Sequence, residues 1–321
     1  MNIIEVSDLS KSFGDFMAVN DISFEVRQGE VFGFLGPNGA GKTTTINMLT
    51  GLAKPTAGII RISGHDGIGD IKKVQRIIGI VPDESNLYDD LSGFENLVFC
   101  ASLYGIRKAT REPRARELLE QFNLHDTGSR PFNAYSKGMK RKLTLAAGII
   151  HDPEILFLDE PTTGIDVESA RQIRRLINDL NKKGTTIFLT THYIEEAERL
   201  CSRIGFIVEG SVINVSSIGD LMKEAQQEHI VEFAFDEQNK DIKAVLMNAF
   251  PDFSFEMSQK DRIRVVSQKE VKLMPLMRVF EENSISVTEA SIIKPSLEEV
   301  FVKVTGIEAE RMKHEREGKK K

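Results

Sequence analysis

Two clusters in the sequence have the residue types and spacing to act on a phosphoryl group. The first is Gly36-Pro37-Asn38-Gly39-Ala40-Gly41-Lys42-Thr43-Thr44, which fits G-x-x-x-x-G-K-[ST]. It follows the apolar run Val31 to Leu35 and precedes a stretch that reads as a helix. Glycines at these positions let successive N–H groups curl toward a phosphate at the positive end of a helix. Lys42 is expected to reach the β and γ phosphates of a nucleotide, and the Thr43 hydroxyl to ligate Mg²⁺. The second cluster is Ile155-Leu156-Phe157-Leu158-Asp159-Glu160-Pro161, four apolar residues delivering two adjacent carboxylates. Asp159 is placed to hold Mg²⁺ through water, and Glu160 to polarise a water for attack on the γ phosphate.

A phosphate cradle does not by itself name the nucleotide. Guanine-specific phosphate-loop proteins carry N-K-x-D downstream, and Asn181-Lys182-Lys183-Gly184 lacks the final carboxylate. A GTPase is therefore disfavoured. Three further segments fall in a telling order: Tyr135-Ser136-Lys137-Gly138-Met139-Lys140, then Thr163-Gly164-Ile165-Asp166, then Thr190-Thr191-His192. With the phosphate loop, they resemble the nucleotide-binding subunits of ABC transporters. The resemblance implies ATP and Mg²⁺ as cofactors and a head-to-tail dimer with a second ATPase subunit, a copy or a paralogue. Ser136 and the Gly138 amide would contact the γ phosphate held by the other subunit. Asp166 would bridge the dimer, and His192 would contact the γ phosphate as a switch. Phe13, in Lys11-Ser12-Phe13-Gly14, resembles the aromatic residue that stacks on adenine; a core phenylalanine is the alternative. Asp83 stands where the family usually has a glutamine, and would offer an oxygen to Mg²⁺ with a shorter reach. Lys137 and Met139 also depart from the common signature, while its serine and second glycine are kept.

The elements that must position these residues read as short apolar strands alternating with helices. Ile22 to Val26, Val31 to Leu35, Ile155 to Leu158 and Thr185 to Thr190 are expected strands, and Glu168 to Lys182 an expected helix. That alternation predicts a parallel sheet covered on both faces. Residues 86–150 break the rhythm and read as a helical insertion. Past a seam at Ser216 to Gly219 the pattern restarts. A strand is expected at His229 to Phe235, a helix at Asn239 to Phe250, and a hairpin at Phe253 to Met257 and Arg262 to Ser267. A helix at Glu270 to Glu282 and a strand at Ser286 to Ile293 complete a β-α-β-β-α-β order. The fold class is thus α/β with a helical insertion, plus a small C-terminal α+β, ferredoxin-like domain; the resemblance implies that the core is a P-loop NTPase of the ABC ATPase kind. The expected limits are 1–216 for the ATPase domain, 217–307 for the accessory domain and 308–321 for a charged tail.

Composition narrows the remaining classes. The 321 residues are 40% hydrophobic and 28% charged, which is globular usage, and the net charge is -6. A mildly acidic total argues against a dedicated nucleic-acid coat, and no nucleic-acid partner is expected. Cys100 and Cys201 lie far apart and form no metal or disulfide framework, so they read as reduced thiols. Leu143 to Ile150 is far short of a membrane span, and the N-terminus lacks the layout of a signal peptide. A cytoplasmic protein, peripheral on the inner face of the cell membrane, is expected. Its branch is suggested by Lys294-Pro295-Ser296-Leu297-Glu298-Glu299-Val300-Phe301, which looks like the closing segment of drug- and antibiotic-exporter ATPases. The resemblance then implies an integral membrane permease subunit of ABC-2 type as partner, receiving the work of ATP hydrolysis. The alternative is an ABC ATPase acting on ribosomes or DNA without transport; a binding regulator without turnover is a third.

Overall fold

The computed structural model describes residues 1–225, 229–236, 242–293 and 296–307. Strands β1 (Asn2–Phe13), β2 (Phe16–Arg27) and β3 (Val31–Leu35) lead into helix α1 (Lys42–Leu49). Then come β4 (Ala57–Ile62), β5 (His65–Asp66), α2 (Ile71–Ile77) and β6 (Ile78–Val81). Three helices follow: α3 (Gly93–Leu103), α4 (Lys108–Gln121) and α5 (Lys137–Gly148). The chain returns through β7 (Ile155–Asp159), α6 (Val167–Lys182), β8 (Thr186–Thr191), α7 (Ile194–Leu200), β9 (Arg203–Val208) and β10 (Ser211–Ser217).

The central sheet has six strands in the order β10-β9-β3-β8-β7-β6. Five run parallel, and β10 joins the edge as the antiparallel arm of a hairpin with β9. The alternation of side chains across a strand explains why both faces are covered. On β7, Leu156 and Leu158 join one buried apolar cluster with Leu143, Ile173 and Leu189, whereas Ile155 and Phe157 join another with Phe32, Ile46 and Phe188. The expected parallel sheet is present, but the sequence reading missed a second sheet, β2-β1-β4-β5, which is antiparallel. Its long strands hide their period of two. Asp8 and Asp21 sit at φ 51°, and the β1–β2 register shifts between Val6 and Leu9, so bulges reset which face each residue meets. The 86–150 segment is helical as expected, with one isolated bridge, Ser92 to Pro131, and no strand among its described residues. Ser92 and Glu95 form a reciprocal cap that starts α3.

The described residues divide into two compact units, 1–218 with 304–307, and those of 219–303. After α8 (Ile218–Ala225), the second unit holds β11 (His229–Phe235), α9 (Ile242–Ala249), β12 (Ser254–Gln259), β13 (Arg262–Ser267), α10 (Leu273–Glu282) and β14 (Val287–Ile293), before α11 (Leu297–Thr305). Its sheet order is β12-β13-β11-β14 with every pair antiparallel, the order of a ferredoxin-like domain. Several boundaries differ from expectation. The hairpin pairs out to Gln259 and Arg262, so the turn is Lys260-Asp261 and not Ser258 to Asp261. Helix α10 starts at Leu273 and not Glu270, because Pro275 is tolerated only in a first turn. The first three residues of the expected Asn239–Phe250 helix, the Lys294-Pro295 pair and the 308–321 tail lie outside the described residues.

Candidate active site

The phosphate loop leaves the end of β3, all of whose residues are buried. Glycine is required where the backbone is crowded. A Cβ on Gly36 would stand 2.0 Å from the Ile207 carbonyl oxygen, and one on Gly41 (φ +102°) 2.6 Å from that of Ala18. The loop opens directly into α1, whose first residue is Lys42. Lys42 is 6% exposed. Its ammonium donates to the Gly36 and Pro37 carbonyls at 2.7 and 3.0 Å and lies 3.4 Å from Glu160 Oε1. Burial pulls its pKa below the ordinary lysine value, against the opposing pull of Glu160, Asp159 and Asp83. Next to it, Thr43 Oγ1 donates to Asp159 Oδ2 at 2.8 Å.

Strand β7 is buried throughout and ends at Asp159. Thr190, at the matching end of β8, donates its hydroxyl to Asp159 Oδ1. Glu160 follows at φ +49°, a left-handed conformation rare for a side-chain-bearing residue. Its amide is held at 3.2 Å by the Thr190 carbonyl oxygen. Its carboxylate accepts from His192 Nδ1 at 2.8 Å and from Thr163 Oγ1 at 2.9 Å. Burial pushes this carboxyl up, but the His192 hydrogen bond, the Lys42 charge and Thr163 outweigh that and hold it below the usual glutamate value. Glu160 is therefore an ionised carboxylate at neutral pH, held by His192, Lys42 and Thr163.

These groups border one cavity of about 320 Å³, which brings together Lys42, Thr43, Asp83, Glu160 and His192 with Asn38, Gly39, Gly41 and Thr44. Asp159 meets it through Thr43. Pro37 and Ala40 shape the loop, the Pro37 carbonyl accepting from the Ala40 amide at 3.2 Å. Phe13 is not on the cavity wall. It is 55% exposed, with Lys11 Nζ 4.8 Å from its ring centre. Phe16, its partner across the β1–β2 hairpin, lines the cavity with Ala18. Ser136, Gly138 and Asp166 gather elsewhere. Ser136 caps α5, Asp166 caps α6 through Ser169, and a Cβ on Gly138 would stand 2.2 Å from Ser169 Oγ.

Sequence reasoning missed Phe16 and the buried Arg141, which donates to the carbonyls of both Asp83 and Glu160, and quoted Thr163 and Thr190 in their motifs without giving them a role. For Thr163 and Thr190 a signal was present, since each flanks a motif residue by one turn or one strand step. Arg141 announces itself only as a charge on the helix face shared by Gly138 and Leu145.

Comparison with known proteins agrees with this geometry. The family described as ABC transporter matches residues 19–163. The bacitracin transport ATP-binding protein BcrA of Bacillus licheniformis is 38% identical over 306 residues, 95% of this chain and 97% of that one. The daunorubicin resistance ATP-binding protein DrrA3 of Streptomyces coeruleorubidus is 35% identical over 94% of this chain and 96% of its own. A solved ATP-binding subunit of an ABC transporter superposes with a TM-score of 0.63 at 32% identity, over 69% of this chain and 92% of that one. A dimeric ATP-binding cassette holding ADP and phosphate gives 0.61 at 26%, over 67% and 98%. With the phosphate loop, the paired carboxylates and these relatives in hand, the chain belongs to the ABC transporter family as one of its ATP-binding, ATP-hydrolysing subunits.

Proposed function

We propose that this subunit powers export through a separately encoded ABC-2 type permease, and that Glu160 is the base of its ATPase reaction. The observation that carries the chemistry is the Glu160 carboxylate, ionised, buried and facing the cavity that Lys42 and Thr43 border. A water placed against it would lose a proton to the carboxylate as its oxygen attacks the γ phosphorus, and ADP would leave. Lys42 would exchange its Gly36 and Pro37 carbonyls for the β and γ phosphate oxygens, and His192 would hold Glu160 in aim. Thr43 and Asp159 suit Mg²⁺, because a hydroxyl and a carboxylate already converge at 2.8 Å and both are hard oxygen donors. Asp83 would add a third oxygen. What the ion supplies when bound is neutralisation of charge on the phosphoryl oxygens. Phe16 or Phe13 would face the adenine ring.

Ser136, Gly138 and Asp166 stand off this cavity and so suit a nucleotide held by a second subunit. Two subunits, copies or paralogues, would then enclose two ATP molecules, closing on ATP and opening after hydrolysis. The dimeric cassette relative supports that arrangement. Export is supported by relatives over nearly the whole chain that are named for bacitracin transport and for daunorubicin and linearmycin resistance. Among the described residues no helix is long and apolar enough to cross a membrane. A permease would hold the subunit at the inner face of the membrane, and would select the cargo. The helical insertion, residues 86–150, with the loop at Asp83 would receive a helix of that permease. The test is affinity purification from solubilised membranes. A multispanning permease is expected with the subunit, with ATP turnover lost in Lys42→Ala; recovery of ribosomes in place of a permease would overturn the export reading.

A further inference from the structure

Arg141 has a bonding pattern that neither motif explains. It lies on α5, is 7% exposed, and spends all its donors on main-chain carbonyls. Nε donates to Pro161 O at 2.8 Å. Nη1 donates to Pro82 O and to Asp83 O, the latter at 3.1 Å. Nη2 donates to Asp159 O at 2.7 Å and to Glu160 O. A guanidinium has five N–H groups in one rigid plane, and here five carbonyls from two separate loops receive them. With its donors committed to the main chain, its role is to hold backbone.

The two loops are the ends of neighbouring parallel strands, β6 with Pro82-Asp83 and β7 with Asp159-Glu160-Pro161. The Glu160 backbone occupies a left-handed conformation that an L residue keeps only when its surroundings fix it. Thr190 fixes the Glu160 amide, and Arg141 fixes the carbonyls before, at and after the same residue. We propose that Arg141 is a positioning residue for hydrolysis: its planar fork clamps the Asp83 loop to the Glu160 turn and thereby sets the aim of the Glu160 carboxylate. The inference rests on Glu160 acting on the attacking water. Lysine cannot replace the clamp, because an ammonium has three donors at one point and no plane to span two loops.

The test is single-turnover phosphate release by the full chain carrying Arg141→Lys or Arg141→Gln, each also made in a Glu160→Gln background. With Glu160 present, the rate should fall about 10–100-fold, the usual penalty of an ångström-scale misplacement of a reacting group. The KM for ATP should stay within about threefold, since ground-state binding is untouched. In the Glu160→Gln background the same changes should have no further effect, because there is no base left to aim. Equal losses in both backgrounds would overturn the proposal while leaving Glu160 as the base. So would wild-type turnover in Arg141→Lys, or a raised KM with unchanged turnover. Wild-type hydrolysis by Glu160→Gln alone would remove the base reading and this proposal with it. Should Arg141→Gln fail to fold, Arg141→Lys, which keeps the buried charge, carries the measurement.

Discussion

The two units of the chain are built on opposite policies toward buried polar groups. In the first, the interior holds Lys42, Arg141, Asp159, Glu160, Thr190 and His192, most of them within one turn or one strand step of each other. In the second, the buried polar side chains among the described residues reduce to Ser267, and the core is Val231, Phe233, Ile263, Val265, Leu276 and Phe280. Its charges, Glu232 with Arg262 and Arg264, stay on partly exposed positions. A buried ion costs desolvation free energy unless its partners are complete, so a cluster of them is not explained by stability. It is explained by chemistry that needs groups aimed before the substrate arrives. The second unit is ordered by apolar packing and has no comparable reason to accept that cost.

The contrast between the two units is tested most strongly in their cores. Phe188 packs with Phe24, Phe32, Phe34 and Phe157 at 5.6–6.0 Å between ring centres, and Phe233 packs on Phe280 at 5.0 Å. Phe188→Ala and Phe233→Ala should each remove about 3–5 kcal/mol, read by denaturant unfolding. Nucleotide binding should weaken with the first and survive the second; loss in both would erase the division of labour. A smaller effect is expected at Gly138. An added methyl there meets Ser169 Oγ at 2.2 Å, so Gly138→Ala should cost about 1–3 kcal/mol. Adding Ser169→Gly should recover part of it, and an undiminished cost in that background would mean the crowding lies elsewhere.

The smallest effect is a pH dependence outside the site. His151 stacks on Tyr104 at 3.5 Å, and its Nε2–H donates to the Ile78 carbonyl at 2.9 Å. Burial lowers its pKa, opposed by the Ile78 carbonyl and Asp152. The unfolded chain then binds the proton more readily, so stability is full above the unfolded histidine value of about 6.5 and is lost as pH falls below it toward the folded value. Unfolding midpoints measured across that range should drop for the wild type and stay flatter for His151→Asn. Parallel curves would contradict the assignment.

How much of this was legible in the sequence follows from where each signal lives. Lys42, Thr43, Asp159, Glu160 and His192 are contiguous with their motifs, and the structure brings them to one cavity. The second unit was legible because its strands alternate cleanly, as in the buried Ile263, Val265 and Ser267 of β13. Strand β1 was not, since the bulge at Asp8 breaks its period, and β2 was read only from Ile22, just past the bulge at Asp21. Arg141 was invisible for another reason: its partners are carbonyl oxygens, which every residue possesses, so no side-chain pattern marks them. The aromatic on the cavity wall turned on a hairpin. Phe13 and Phe16 are paired residues, and only the folded turn decides which ring borders the cavity.

If the buried polar cluster of the first unit hydrolyses ATP through Glu160, removing that one charge separates binding from turnover. Glu160→Gln keeps the side chain's size and its bond to His192 while removing the basic charge. Nucleotide binding should persist, because Lys42 and Thr43 are untouched, while phosphate release should fall roughly 10²–10⁴-fold, about 3–5 kcal/mol of barrier. Measured side by side on wild type and variant with ATP and Mg²⁺, tight binding with that loss of release is the predicted result. Phosphate release at the wild-type rate would contradict it.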